Sequence, residues 1–454
     1  LHVTPHDHVT QTGKKMEEQK MFLALTLAIF ALASADVSKR TIETVLYPNC
    51  SRYQSCLDRR DQNASDPYDN YPNLVYIRAV SKNDILHYVM TTIDLPSILM
   101  VHTTGSDAAR LNFDWDRLLL ANNETDMADA INATGGGDIM YTYALVFSRL
   151  IEYNDLNDGA NLASVNQSDS SLWNITDFTQ FRWMNLTLGQ GGKSVIFNTS
   201  YPQPKPYGNN TSGSLSFEFE INDDDGRDTD LPRLIYNANN TQFNFALDHY
   251  VPNFNKSRFA LEMTVIANQS SKAMQVVETK SIDDEFSPGV FRVVNWYTRG
   301  EGDDTGYIQW KPVCYLGPHR ARDVGTEIMS YDLKEPTKVK GLEDLMGKSL
   351  ARAFYGEDLS NSKMVAQMSS NVSFGLAEDG FYLKNNYTVW TASVGYGTAP
   401  VEAISTTVII IIAAGLGIPV VIIIFGGIYV CIRKRRSGYQ KIDDGLTNSY
   451  PNLN

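Results

Sequence analysis

Through much of the chain apolar and polar residues alternate with a period of two. Ser216-Phe217-Glu218-Phe219-Glu220-Ile221 is the clearest case. Successive side chains of a strand point to opposite faces, so this alternation marks a half-buried strand. Residues 73–80, 194–197, 242–247 and 258–265 also read as strands. Turn-forming clusters separate them, among them 135–138 (Gly-Gly-Gly-Asp) and 222–230. Helical periodicity is scarcer. Over 340–354 the residues Leu342, Leu345, Met346, Leu350 and Phe354 fall on one face, and 124–133 is a weaker case. These patterns predict a mainly β protein, with antiparallel sheets packed as a sandwich. Two lobes, 36–205 and 206–402, are expected to meet at the Pro-containing stretch 201–208.

Two apolar runs break the pattern. Lys20 precedes an uncharged run from Met21 to Leu32, followed by the small residues Ala33-Ser34-Ala35. This is the layout of a secretory signal with cleavage expected after Ala35, and Met16 or Met21 is the expected initiator. Residues 1–35 would then lie outside the mature fold. The second run, 403–432, carries no charge and is long enough to cross a bilayer, which takes about 20 residues. Arg433-Lys434-Arg435-Arg436 follow at once, which places 433–454 in the cytosol. Pro419 interrupts the span, and Ala413, Gly417, Gly426 and Gly427 offer points of close approach for a partner helix. Self-association into a homo-oligomer stays open.

Between these runs stand fifteen Asn-x-Ser/Thr triplets. Thirteen are taken as glycan acceptors: Asn63, Asn123, Asn132, Asn166, Asn174, Asn185, Asn198, Asn209, Asn239, Asn255, Asn268, Asn371 and Asn386. Asn210 is the neighbour of Asn209, and Asn49 has Cys50 at its middle position, so both are set aside. A lone triplet says little. Fifteen on one side of a membrane span map the lumenal face, and each occupied site holds a bulky polar glycan at the surface. Such a coat hinders proteases.

In the short tail, Gly438-Tyr439-Gln440-Lys441-Ile442 has the form Gly-Tyr-x-x-bulky apolar. A clathrin adaptor subunit binds such a segment as an extended strand, with Tyr439 and Ile442 in separate pockets. Tyr450-Pro451-Asn452-Leu453 repeats the form. Cys431, at the cytosolic edge of the span, is a candidate for palmitoylation. Three cysteines remain on the lumenal side: Cys50, Cys56 and Cys314. A local Cys50–Cys56 bridge and a bridge from either one to Cys314 are both open.

Composition is that of a globular protein, 43% hydrophobic and 20% charged. The net charge of -13 argues against nucleic acid. His87, His102, His249 and His319 show no metal-ligand spacing, and no cofactor is implied. No Gly-x-Ser-x-Gly elbow occurs. Gly189-Gln190-Gly191-Gly192-Lys193-Ser194 lacks the first glycine of a phosphate loop, since Thr187 stands there. Asp223-Asp224-Asp225-Gly226 does not fit a calcium loop and reads as a solvated acidic turn. Asp283-Asp284-Glu285 could supply paired carboxylates for a glycosidase, but acidic triplets are far more often surface turns.

Ser281-Ile282-Asp283-Asp284-Glu285-Phe286-Ser287-Pro288-Gly289-Val290-Phe291 resembles a signature of the glycosylated lysosomal membrane protein family. Further similar strings follow in family order: Ile77-Arg78-Ala79-Val80, Leu86-His87-Tyr88-Val89, 144–150, 213–217 and 309–313, then the tail. Vertebrate members carry more lumenal cysteines, so their disulfide pattern does not transfer, and this tail continues past Ile442. The resemblance implies a non-enzymatic, single-pass type I protein of the lysosomal membrane. It implies an accessory subunit that protects a multipass dipeptide transporter of the major facilitator superfamily from proteolysis and supports its lysosomal residence. The alternatives are a lumenal acid hydrolase and an endocytic cell-surface receptor.

Overall fold

The computed structural model describes residues 39–60, 71–105, 108–120, 127–166, 168–189, 193–199, 213–281, 285–299, 304–401 and 406–443. In chain order the first strands are β1 (Thr41–Leu46), β2 (Leu74–Val80), β3 (Asp84–Thr91), β4 (Ser97–Thr104), β5 (Arg110–Phe113), β6 (Ile131–Thr134) and β7 (Ile139–Asn154). Next come β8 (Trp173–Asp177), β9 (Thr187–Leu188), β10 (Ser194–Asn198), β11 (Ser214–Ile221), β12 (Gly226–Arg227), β13 (Ile235–Tyr236), β14 (Asn240–Asp248) and β15 (Ser257–Asn268). The last are β16 (Gln275–Lys280), β17 (Arg292–Tyr297), β18 (Gly306–Trp310), β19 (Val313–Tyr315), β20 (Gly325–Ser330), β21 (Val365–Phe374) and β22 (Tyr387–Tyr396). Four helices are short: α1 (Gln54–Arg60), α2 (Trp115–Leu120), α3 (Leu342–Met346) and α4 (Leu350–Tyr355). The fifth, α5, runs from Thr406 to Asp443.

The strands pair antiparallel throughout. One layer runs β1-β2-β3-β4-β7-β15-β21, and β8 takes the far half of β7 on the edge that β4 leaves free. The other runs β9-β10-β11-β14-β22-β18-β17-β16, with β19 on the remaining part of β22. β20 joins the layers: Gly325, Thr326 and Glu327 pair with β19, then Ile328, Met329 and Ser330 pair with β21.

The alternation seen in the sequence sets which face is buried. On β11, Leu215, Phe217, Phe219 and Ile221 are buried, while Ser214, Ser216, Glu218 and Glu220 point outward. Phe147 on β7 lies 4.6 Å from Phe217 on β11 and 5.2 Å from Phe243 on β14, ring centre to ring centre. Phe245 stacks on Phe374 at 5.7 Å. These rings fill the space between the layers, and each fully buried one contributes about 1.5–3 kcal/mol of transfer free energy.

The five expected strands match β2, β10, β11, β14 and β15, with Asn73 just outside β2. The helical stretch 340–354 is two short helices, because Gly347, Lys348 and Ser349 turn the chain between them. The weaker helix, 124–133, is corrected in part: Ile131, Asn132 and Ala133 belong to β6, which pairs with β5, and 121–126 lie outside the described residues. The Gly135-Gly136-Gly137 turn follows, all three with positive φ. The expected division at 205/206 is also corrected. β7 from the first part lies between β4 and β15, so strands of 36–205 and 206–402 share one layer, and the chain up to Pro400 forms one compact unit. Residues 401–454 form the second.

Candidate functional site

Within α5 the stretch Ile410–Arg435 is long and apolar enough to cross a membrane. At 1.5 Å per residue, 38 helical residues reach about 57 Å, nearly twice the roughly 30 Å hydrocarbon core. The helix therefore continues past the span. It takes in Arg433, Lys434 and Arg435, and its backbone also covers 438–442. The expected extended strand at Gly438, Tyr439 and Ile442 is thus helical here. Tyr450 lies outside the described residues.

The acceptor asparagines spread over the ectodomain. Asn132, Asn166, Asn185 and Asn255 are exposed, and Asn174, Asn198, Asn239, Asn268, Asn371 and Asn386 are partly so. Asn63, Asn123 and Asn209 lie outside the described residues. Several partly buried ones are held by hydrogen bonds. Arg40 Nε donates to Asn239 Oδ1 at 2.9 Å, and Thr142 donates to Asn268 Oδ1. No acceptor triplet occurs between Asn268 and Asn371.

Cys50 and Cys56 form a disulfide, with Cα atoms 5.4 Å apart. It ties a short turn to α1 beside Trp115, whose Nε1 donates to Pro48 O at 2.7 Å. Cys314 is a free, buried thiol on β19, and burial pushes its pKa well up.

Several buried ionisable groups are held by partners. Arg258 is 3% exposed and holds Asp155 and Asp379 at 2.8 Å each, with Asp158 as a third partner. It clamps the end of β7 and the loop after β21 onto β15. Glu152 accepts from Ser257 Oγ at 2.5 Å and from Asn253. His87 is wholly buried between Tyr76 OH (2.8 Å) and Thr103 Oγ1 (2.9 Å), and burial with nearby Arg78 and Arg110 holds its pKa at about 3. His102 Nε2 is 2.9 Å from Asp84, which also pairs with Arg40 at 2.8 Å. His249 and His319 are exposed and stand elsewhere. Among the described residues, no group of three or more His, Cys, Asp or Glu is placed to hold a metal.

Lys193 reaches Asp223 at 3.1 Å in the turn between β9 and β10, where Gly189 N donates to Ser194 O at 2.9 Å. That turn joins two strands and no helix follows it, so the architecture of a phosphate loop is missing. Beside it Glu218, Glu220, Asp224 and Asp228 line an acidic groove of about 390 Å³. Burial, then Asp228 and Glu218, raise the Glu220 pKa to about 7 against the pull of Arg320 and Asn244. Asp283 and Asp284 lie outside the described residues, and Glu285 is exposed.

The strings that carry the family resemblance meet in the interior. Ile77, Arg78 and Ala79 on β2 face Tyr88, His87 and Leu86 on β3. The 281–291 loop reaches the end of β18 through Lys311, whose Nζ donates to Ser287 Oγ at 2.5 Å; both residues are fully buried. Phe286 packs under Arg227, 4.0 Å from ring centre to guanidinium. Sequence reasoning missed these contacts and the Arg258 cluster, because their members lie far apart along the chain.

A two-layer antiparallel sandwich rich in Asn-x-Ser/Thr triplets and followed, among the described residues, by one membrane-length helix defines a single-pass membrane glycoprotein with a large N-terminal region. The model of the glycosylated lysosomal membrane protein family matches residues 73–437. The chain is 32% identical over 381 residues to glycosylated lysosomal membrane protein A of Xenopus laevis, covering 83% of this chain and 90% of that one. It is 32% identical to the Danio rerio protein (80% and 85% covered) and 29% identical to the Homo sapiens protein (82% and 87%). The chain belongs to the glycosylated lysosomal membrane protein family, and it resides in the lysosomal membrane with one C-terminal span.

Proposed function

We propose that this chain is a non-enzymatic accessory subunit that shields a multipass lysosomal transporter of the major facilitator superfamily, one that exports dipeptides, from proteolysis. The observation that carries this reading is the distribution of sugar acceptors. They are frequent up to Asn268 and resume at Asn371, leaving the intervening stretch bare. That stretch contains β16, an exposed strand that pairs with β17 alone among the described residues. An open strand edge free of glycans offers backbone groups to an extended loop of a partner. Val277 of β16 packs in one cluster with Tyr297, Tyr307 and Ala399, and Gln309 Nε2 donates to Pro400 O at 2.8 Å. The bare edge thus packs beside Ala399 and Pro400, at the end of the sandwich. Tyr439 and Ile442 act in this reading as the address that clathrin adaptors recognise.

Deleting the chain should shorten the lifetime of the transporter, and lysosomal protease inhibitors should restore it. Unaltered turnover refutes the reading. The purified glycoprotein is expected to show no turnover in a hydrolase screen at acidic pH.

A further inference from the structure

A groove of about 900 Å³ lies on the outer face of the β7-β15-β21 layer. This is at the upper end of small-molecule clefts, which run roughly 300–1,000 Å³. Its floor is a row in register across four strands. Asn371 on β21 faces Glu262 on β15, Glu262 faces Arg149 on β7, and Arg149 faces Asp177 on β8. Arg149 pairs with Asp177 at 2.8 Å and approaches Glu262 to 3.6 Å. Trp173 and Tyr331 add aromatic surface. Aromatic faces beside fixed charges and hydrogen-bonding groups are what sugar rings need: their C–H faces lie on the rings while their hydroxyls meet the polar groups.

Asn371 is itself the first residue of a glycan acceptor triplet, Asn371-Val372-Ser373. Val372 and Phe374 on either side of Ser373 point into the core, so Asn371 must point outward into the groove. Its Oδ1 is buried with no hydrogen-bond partner. An unmet buried acceptor is unfavourable. A sugar attached through Nδ2 would start at the floor of the groove and run along it.

We propose that the groove is the seat of the chain's own carbohydrate: the N-glycan on Asn371 lies in it, its first sugars against Trp173 and Tyr331 and over the Glu262–Arg149–Asp177 row. This glycan is part of the folded surface, unlike those at exposed Asn132, Asn166 and Asn255, which extend into solvent. The inference does not depend on the transporter reading.

The test is site-resolved deglycosylation of the full-length glycoprotein in detergent with peptide N-glycosidase, followed by mass spectrometry. In the native protein, release at Asn371 should be slower than at Asn132, Asn166 and Asn255 by about tenfold or more, the factor that ~1.4 kcal/mol of contact supplies. After denaturation the sites should be released alike. Trp173→Ala keeps the triplet and should raise the native rate at Asn371 towards that of the exposed sites. An unoccupied Asn371, or native release at Asn371 as fast as at Asn255, overturns the proposal without any variant. Undiminished protection in a folded Trp173→Ala protein overturns the aromatic contact.

Discussion

Replacing Glu220 by Gln should change how the sandwich responds to pH. Glu220 lies half-buried on the outer face of β11, where Asn244 Nδ2 donates to its Oε1 at 3.1 Å and Asp228 and Glu218 crowd it with like charge. Its pKa is raised from 4.5 to about 7. A carboxyl whose folded pKa lies above its unfolded value binds its proton more tightly when folded. The resulting stabilisation is complete below pH 4.5 and is lost as pH rises through 7. One pKa unit corresponds to about 1.36 kcal/mol, so going from pH 8 to pH 5 should stabilise the fold by about 2.5 kcal/mol through this group. Gln mimics the protonated carboxyl at every pH. The melting temperature of Glu220→Gln should therefore exceed the parent's at pH 8 and approach it at pH 5. With an unfolding entropy of about 2.1 cal/mol/K per residue, a unit of this size shifts by roughly 1.3 °C per kcal/mol, so the gap between the variants should change by about 3 °C. Intrinsic tryptophan fluorescence melts on the detergent-solubilised glycoprotein read it directly. Parallel melting curves for parent and variant from pH 8 to pH 5 would show that Glu220 is already ionised freely in the fold, and the argument fails.

His87 works in the opposite direction. Its folded pKa of about 3 lies below the ordinary 6.5, so the stability it supplies is present above 6.5 and is lost as pH falls towards 3, about 2 kcal/mol of it by pH 5. A folded His87→Gln variant should lose less stability on acidification than the parent; an unchanged pH response in thermal melts counts against a neutral His87. Opening the Cys50–Cys56 bridge with Cys56→Ser frees a short loop and should lower stability by about 2 kcal/mol, measured in chemical denaturation. Cys314 should react with a thiol reagent only after unfolding, and labelling of the native protein would contradict its burial. Tyr439→Ala should move the protein to the cell surface in surface-labelling experiments, and unchanged lysosomal staining would remove the motif from the sorting account.

What the sequence showed and what it hid follow from the range of the interactions involved. β11 was legible because each of its eight residues reports a face. The span and its basic flank were legible because a bilayer imposes length and charge on consecutive residues. The splitting of 340–354 into α3 and α4 was not, since Leu342, Leu345, Met346 and Leu350 are all buried and keep helical spacing across the break at Gly347. The shared layer was hidden for a different reason. β7 meets β15 across more than a hundred residues of sequence, and alternation says which face is buried without saying which strand lies alongside. The disulfide belongs with these: the fold seats Cys314 inside β19 and leaves Cys50 and Cys56 to pair with each other.

The same distinction bears on what the family resemblance can carry. Its strings fall on β2, β3, β7, β11 and the 281–291 loop, and many of their side chains, among them His87, Phe147, Phe217, Ser287 and Lys311, are fully buried. Buried residues are held by close packing on every side, so their agreement testifies to a common fold. A partner reads the outside. At the surface the informative features are positional: where sugars are allowed, where they are missing, and where the chain enters the membrane. The bare edge at β16 and the groove at Asn371 are both of this kind. One is proposed as a docking edge because it lacks acceptor triplets, and the other as the seat of a glycan because it contains one. The two assignments can therefore fail separately, the first in transporter turnover and the second in the rate at which a single sugar is released.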